Sequence, residues 1–220
     1  MMNTATRSIA FIFLFLGILG YSQKKKNFSG IPNILQKIIP DNRVDSWVLV
    51  HNSYGKNQEI KISDGKTDYT PQFSGFDLFP EEDSFYYIAY AESGKVNYIT
   101  DLEGLRKFVG KIDSAEEAAI VLTADGYMVD EEFKDVAGNY YEDAAHYYLD
   151  LGKLTSKECP YQKTHYTLTV NKASGAVSNV KENGTYIELY NKKCPNNPRL
   201  LKIQKKEEPK DEPKKPAKRK

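Results

Sequence analysis

Cysteine is almost absent from this chain of 220 residues: Cys159 and Cys194 are the two, and each stands directly before a proline. Histidine occurs three times and tryptophan once, at Trp47. No G-x-S-x-G, H-E-x-x-H or C-x-x-C string occurs, nor a glycine-rich phosphate loop, so the local signatures of several enzyme classes are missing. A zinc site needs three or four compact ligands, which Cys159 and His165 do not supply. Long apolar runs are equally scarce. The one that stands out is "IAFIFLFLGILG" (Ile9–Gly20), too short for the roughly 20 residues that cross a bilayer as a helix.

That run has the anatomy of a secretory signal peptide. Arg7 precedes it, and Gly20 and Ser22 place small residues ahead of Gln23. Cleavage after Ser22 is expected, with residues 1–22 as the signal peptide and an uncleaved anchor as the alternative. No cysteine ends the apolar run, which argues against a lipid anchor. The chain is therefore expected to be secreted or periplasmic, with no transmembrane helix after cleavage. In an oxidising compartment an isolated cysteine pair reads first as a disulfide. Cys159 and Cys194 bracket the last strands, so a bridge would clasp the two ends of one β unit.

Charge is segregated along the chain. The tail, residues 205–220, holds eight basic and four acidic residues and almost nothing apolar, so it is expected to be disordered. Setting aside that tail, Arg7 and the Lys24–Lys26 triplet from a total of +1 leaves residues 27–204 at −7. The basic ends invite weak contact with an anionic surface such as lipid head groups or acidic polysaccharide. A nucleic-acid role fits poorly with export. The order expected is a lead segment over 23–42, a globular domain over 43–204 with halves at 43–100 and 101–204, and the tail.

Within the domain, alternation dominates. "DSWVLVHN" puts Trp47, Leu49 and His51 on one face and Val48 and Val50 on the other. "EIKIS" and "SFYYIAYAESGKVNYIT" continue with hairpins. Tyrosine, at 16 residues, suits half-buried sheet faces. Between the hairpins the aromatic, irregular "YTPQFSGFDLFPEED" reads as a loop or edge segment lying over the sheet. Its Tyr69, Phe73, Phe76 and Phe79 are the candidate binding aromatics.

Two helices follow, over Asp101–Val109 and Ala115–Ala124, opened by Thr100/Glu103 and Ser114/Glu117 at capping-box spacing. Strands then resume: "YMVD", "EFKDVAGNYYED" with a turn at Ala-Gly-Asn, "AHYYLDLGKLT", "THYTLTVN", "AVSNVKE", and, after a turn at Asn183-Gly184, "TYIELYN". Runs of strands and runs of helices that do not alternate indicate an α+β fold of antiparallel hairpins with two short central helices and a disulfide-closed C-terminal β unit.

"SAEEAAIVLTADGYMVD" followed by "HYTLTVNKASGAVSNV" resembles the helix-plus-hairpin pattern of PepSY-type modules. Tyr166, Val170, Ser174, Gly175 and Val177 hold that family's turn and strand positions. The resemblance covers Ser114–Val180, about a third of the chain, and the Cys159/Cys194 pair and the β-rich first half depart from it. It implies an extracytoplasmic binding or inhibitory module.

For chemistry, Glu142, His146 and Asp150 stand at i, i+4 and i+8, which would align three metal ligands on a helix, but "AHYYLDLG" reads as a strand. Carboxylate pairs at Glu81/Glu82, Glu116/Glu117 and Glu131/Glu132 are adjacent in sequence and point apart. No cofactor or metal is called for. The expectation is a secreted, non-catalytic binding protein with an unknown extracellular partner. Its alternative is a secreted hydrolase using scattered carboxylates with His146 or His165.

Overall fold

A computed structural model describes residues 24–63, 65, 67–78, 83–195, 197 and 198. The expected signal peptide, Phe79 and the tail lie outside the described residues. Two antiparallel sheets are present. The four-stranded sheet has the order β3-β2-β4-β5, with β2 Ser46–Ser53, β3 Lys56–Ile62, β4 Ser84–Glu92 and β5 Lys95–Ile99. The other sheet runs β1 (Lys26–Asn27), β7 (Gly138–Glu142), β8 (His146–Ser156), β9 (Tyr161–Asn171) and β10 (Val177–Leu189), with β6 (Tyr127–Met128) also on β8. The α+β class with a disulfide-closed C-terminal unit is therefore what the chain adopts.

Helices α1 (Ile31–Leu35), α2 (Leu102–Val109) and α3 (Ala115–Leu122) lie against the inner faces of both sheets. Trp47, Leu49 and Ile88 from one sheet share a core with Leu149, Leu151, Leu168 and Val170 from the other, so both halves of the domain are built on it. The alternation in β2 explains a second, smaller cluster on the far face of the four-stranded sheet: Val48, Val50, Tyr87 and Ala89, with Tyr69 of the overlying loop packed on them.

Local chemistry fixes the helix starts. Ser114 Oγ accepts from the Glu117 amide at 3.1 Å, as its spacing predicts. The Glu117 carboxylate, buried in the core layer, accepts from the Asp113 amide and also from the Ile39 amide, tying the lead segment to α3. Burial pushes the Glu117 pKa up, against the pull of those amides. For α2 the cap is not Thr100. Asp101 takes that role, accepting from the Gly104 amide at 2.7 Å.

Four further features differ from the sequence expectation. The lead segment, expected ahead of the globular domain, contributes to its core through Phe28, Ile31, Ile34, Leu35 and Ile38. The second helix ends at Leu122 and a 3₁₀ turn, Thr123–Asp125, completes it. Residues Lys134–Ala137, expected within a strand, form a turn of helix, α4. Asp130 shapes the turn that leads into it, its Oδ1 accepting from the Glu132 and Phe133 amides. The Asn183-Gly184 turn does not form either. β10 runs straight through it, paired with β9 on both sides and accommodated by register shifts. Gly184 takes φ +97°, and Asn183 Nδ2 donates to Thr167 Oγ1 at 2.7 Å. Pairing along a long neighbour outweighs a dipeptide's turn preference.

Cys159 and Cys194 are bonded, with Cα atoms 5.3 Å apart. Cys159 precedes β9 and Cys194 follows β10, so the bridge closes the open end of the β9–β10 hairpin, opposite its turn.

Candidate functional site

A cleft of about 450 Å³ opens where the inner face of the four-stranded sheet meets the segment after β6. Three sides enclose it. From α1 come Ile31, Pro32 and Leu35; from β2, β3 and β4 come His51, Gln58, Ile60 and Tyr86; from the other side come Met128, Val129, Asp130, Glu131, Glu132 and, on β9, Lys163. Strand alternation sets the first wall. Trp47 and Leu49 enter the core, and His51, two residues further on the same face, falls where the core ends. Gln58 stands opposite His51 in the β2–β3 register.

His51 stacks on Tyr86, with ring centroids 4.3 Å apart and planes 11° from parallel, and Tyr86 stacks in turn on Phe76. The His51 Nε2 is buried and has no hydrogen-bond partner among the described residues. A buried ring nitrogen left unpaired carries a desolvation penalty of roughly 1–3 kcal/mol, which a ligand atom would relieve.

The opposite wall is held by a network. Asp130 is 4% exposed. Besides the two amides on Oδ1, its Oδ2 accepts from the Tyr186 hydroxyl at 2.8 Å and the Lys163 ammonium at 3.3 Å. Burial alone would raise the Asp130 pKa, but Tyr186, the Phe133 amide and Lys163 outweigh it and hold the carboxyl below its ordinary value. The Tyr186 ring reaches Asp130 by crossing Gly152, where a Cβ would collide with the hydroxyl. Glu131 accepts from the Ile31 amide and so fastens the start of α1 to this wall. Lys61 fastens its end, donating to the carbonyls of Gln36 and Ile38 from above the Trp47 ring. Burial lowers the Lys61 pKa.

The residues singled out from sequence are distributed differently. Phe73 is 100% exposed, Phe76 is 2% exposed within the core, and Tyr69 lies partly buried over Tyr87 while donating to Glu59 at 3.1 Å. The loop therefore covers the outer face of the four-stranded sheet with Tyr69 and takes Phe76 through to the inner side, where it bridges to Tyr86. Among the described candidate aromatics, Phe73 is the one that faces solvent.

Glu142, His146 and Asp150 are drawn to separate partners. Glu142 binds Lys26 and Lys172, which lower its pKa, and His146 lies 3.6 Å from Asp143. No group of three His, Cys, Asp or Glu side chains placed to hold a metal occurs among the described residues. Asp150 meets His165 instead, with Nε2 2.8 Å from Oδ1. The same Oδ1 accepts from Thr167 at 3.0 Å, and Lys25 pairs with Oδ2. The Thr167 hydroxyl is thus directed at the carboxylate, and the cluster ties β8, β9 and the lead segment together.

Sequence reasoning did not find the cleft. Asp130, Lys163 and Tyr186 come from three distant segments, and His51 alone had no partner at ligand spacing. Three consecutive acids, Asp130–Glu132, directly after a short strand were the available signal. Comparison of the chain with protein-family models, with curated proteins and with solved structures found no match in any of the three.

Proposed function

We propose that this chain is an exported, non-catalytic binding protein whose ligand occupies the cleft between the four-stranded sheet and the Met128–Glu132 segment. The observation that carries the reading is the buried His51 Nε2, unpartnered among the described residues, in a cleft of about 450 Å³ with an apolar floor and a polar rim. That volume lies within the usual range of ligand sites. Export is supported by the Ile9–Gly20 signal pattern and by the disulfide, which persists in oxidising compartments. No described helix is long and apolar enough to cross a membrane. The PepSY-type likeness over Ser114–Val180 supports a binding or inhibitory role. The basic ends would add weak attraction to an anionic surface, and Phe73 would extend contact with a partner.

Capture from the protein's own extracellular milieu tests the binding role, run beside Ile60→Trp, a variant that fills the cleft. A partner held by the wild type and lost by the folded variant is the expected result. Equal capture by both, or no specific partner alongside turnover of a generic hydrolase substrate, would overturn it. The hydrolase alternative rests on the 2.8 Å Asp150–His165 pair, and turnover abolished by His165→Asn would establish it. Export is checked by cell fractionation and sequencing of the mature N-terminus, expected at Gln23.

A further inference from the structure

We infer that the cleft receives a basic side chain, lysine or arginine, from an extended segment of a partner polypeptide. The inference rests on the cleft being the ligand site and adds the chemical class of what enters it. Charge comes first. The lining holds three carboxylates, Asp130, Glu131 and Glu132, against one ammonium, Lys163. Lys163 lies 3.3 Å from Asp130, so its charge is already matched inside the wall. Glu131 is engaged by the Ile31 amide. Glu132 is exposed at the rim, and its amide, not its carboxylate, serves the Asp130 turn. An uncompensated negative rim above buried apolar surface favours a cation that can desolvate only at its stem.

The floor suits such a stem. Ile31, Pro32, Leu35, Ile60, Met128 and Val129 line it, and together they match a chain of methylenes in width and polarity. The second requirement of a peptide ligand is a partner for its backbone. His51 Nε2 is a buried ring nitrogen seeking one bond, and Gln58, opposite it across β2 and β3, presents an amide that both donates and accepts. A peptide group between them would complete the one buried nitrogen the wall leaves unpaired, while its side chain runs along the floor towards Glu132. The acidic body, −7 over residues 27–204, would steer a basic partner towards the site at low ionic strength. The Asp150 cluster offers no such combination, since its polar groups are already paired, and the unpaired Tyr161 hydroxyl of the disulfide hairpin does not line the cleft.

The test is an NMR titration of the purified protein with four capped residues: Nα-acetyl-lysine, Nα-acetyl-arginine, Nα-acetyl-norleucine and Nα-acetyl-glutamate N-methylamides. Lysine and arginine probes are expected to shift the amides of His51, Gln58, Ile60 and Val129–Glu132 in a saturable way. Glu132→Gln should weaken the lysine probe about tenfold and leave norleucine unchanged, since a charge-assisted hydrogen bond is worth roughly 1.5–3 kcal/mol. Glu132 carries no fold-holding side-chain bond, and the variant's own spectrum verifies its fold. Norleucine or glutamate probes moving those amides as strongly as lysine would overturn the cationic assignment while leaving the cleft a ligand site. No response of those amides to any probe would also overturn it, and the Ile60→Trp capture experiment then decides separately whether the cleft binds at all.

Discussion

His51 and His165 both stand on strands, yet one is unpartnered and the other is held. His165 meets a carboxylate that is 4% exposed and already bonded to Thr167 and Lys25, so every polar atom of that carboxylate is used. His51 stacks between sheet and cleft with its Nε2 buried and no described partner. The Asp150 cluster of the six-stranded sheet has spent its polar groups on holding β8, β9 and the lead segment together, whereas Asn139 Oδ1 and the Tyr161 hydroxyl elsewhere in that sheet are buried with no described partner, like His51 Nε2. At the cleft one polar group is left over, and a satisfied network costs nothing further while an unsatisfied one invites a ligand. The two histidines are separated here by the accounting of hydrogen bonds, since both belong to strands of ordinary alternation.

The largest test of this contrast removes the clasp of the satisfied region. Replacing Cys159 and Cys194 together by serine releases a loop with a sequence separation of 35, worth roughly 4 kcal/mol in the chain-entropy model. Urea denaturation should show a loss of that order, and hydrogen exchange should rise along β9 and β10 well before β2 and β4. Uniform acceleration across both sheets would mean that the bridge serves the whole core.

Next in size is Asp150→Asn, which leaves His165, Thr167 and Lys25 around a neutral amide. A loss of about 2 kcal/mol is expected, from weakened charge-assisted bonds at a buried site. The direct comparison follows. His165→Phe should cost about 1–2 kcal/mol, because it strips a bond from the buried carboxylate. His51→Phe keeps the stack on Tyr86 and removes the unpaired nitrogen, so stability should stay within about 0.5 kcal/mol of wild type or rise. Equal destabilisation by the two would dissolve the distinction between them.

The smallest expected effect is a slope in pH. Asp130 titrates below its ordinary value in the folded chain, so the unfolded state binds its proton first as pH falls. Its contribution is fully present above the reference value of 3.8 and is lost as pH drops through the folded value. The stability gap between wild type and Asp130→Asn, followed by urea titration from about pH 6 to pH 2, should therefore narrow below that reference. A gap constant over the whole range would show that Tyr186 and Lys163 do not favour the charged form.

Much of the scaffold was readable in the sequence because it is local. Alternation in Trp47–His51 and in Tyr147–Leu151 assigns inward faces with no knowledge of what they meet. The Ser114/Glu117 spacing starts α3 where it begins. The misreadings also have local causes. Asn183-Gly184 has strong turn chemistry, but the β9 ladder alongside it held the strand straight. Lys134–Ala137 has weak strand alternation, and it follows directly on a turn that Asp130 holds through the Glu132 and Phe133 amides. Phe76 read as one of four candidate binding aromatics on a loop over the sheet and is core, since nothing in its neighbourhood announces that the loop passes through to the inner face.

By itself the sequence determined the α+β class, the hairpin-rich strands, the principal helix and its cap, and the pairing of the two cysteines. Each of these depends on periodicity, capping geometry or the count of a scarce residue, all of which act over a few positions or admit one solution. Only the tertiary structure decided that Asp130, Lys163 and Tyr186 converge, that Asp150 engages His165, and that His51 is the residue left unpaired beside an acidic rim. Those outcomes depend on which sheet faces which, and alternation specifies a face without naming its opposite.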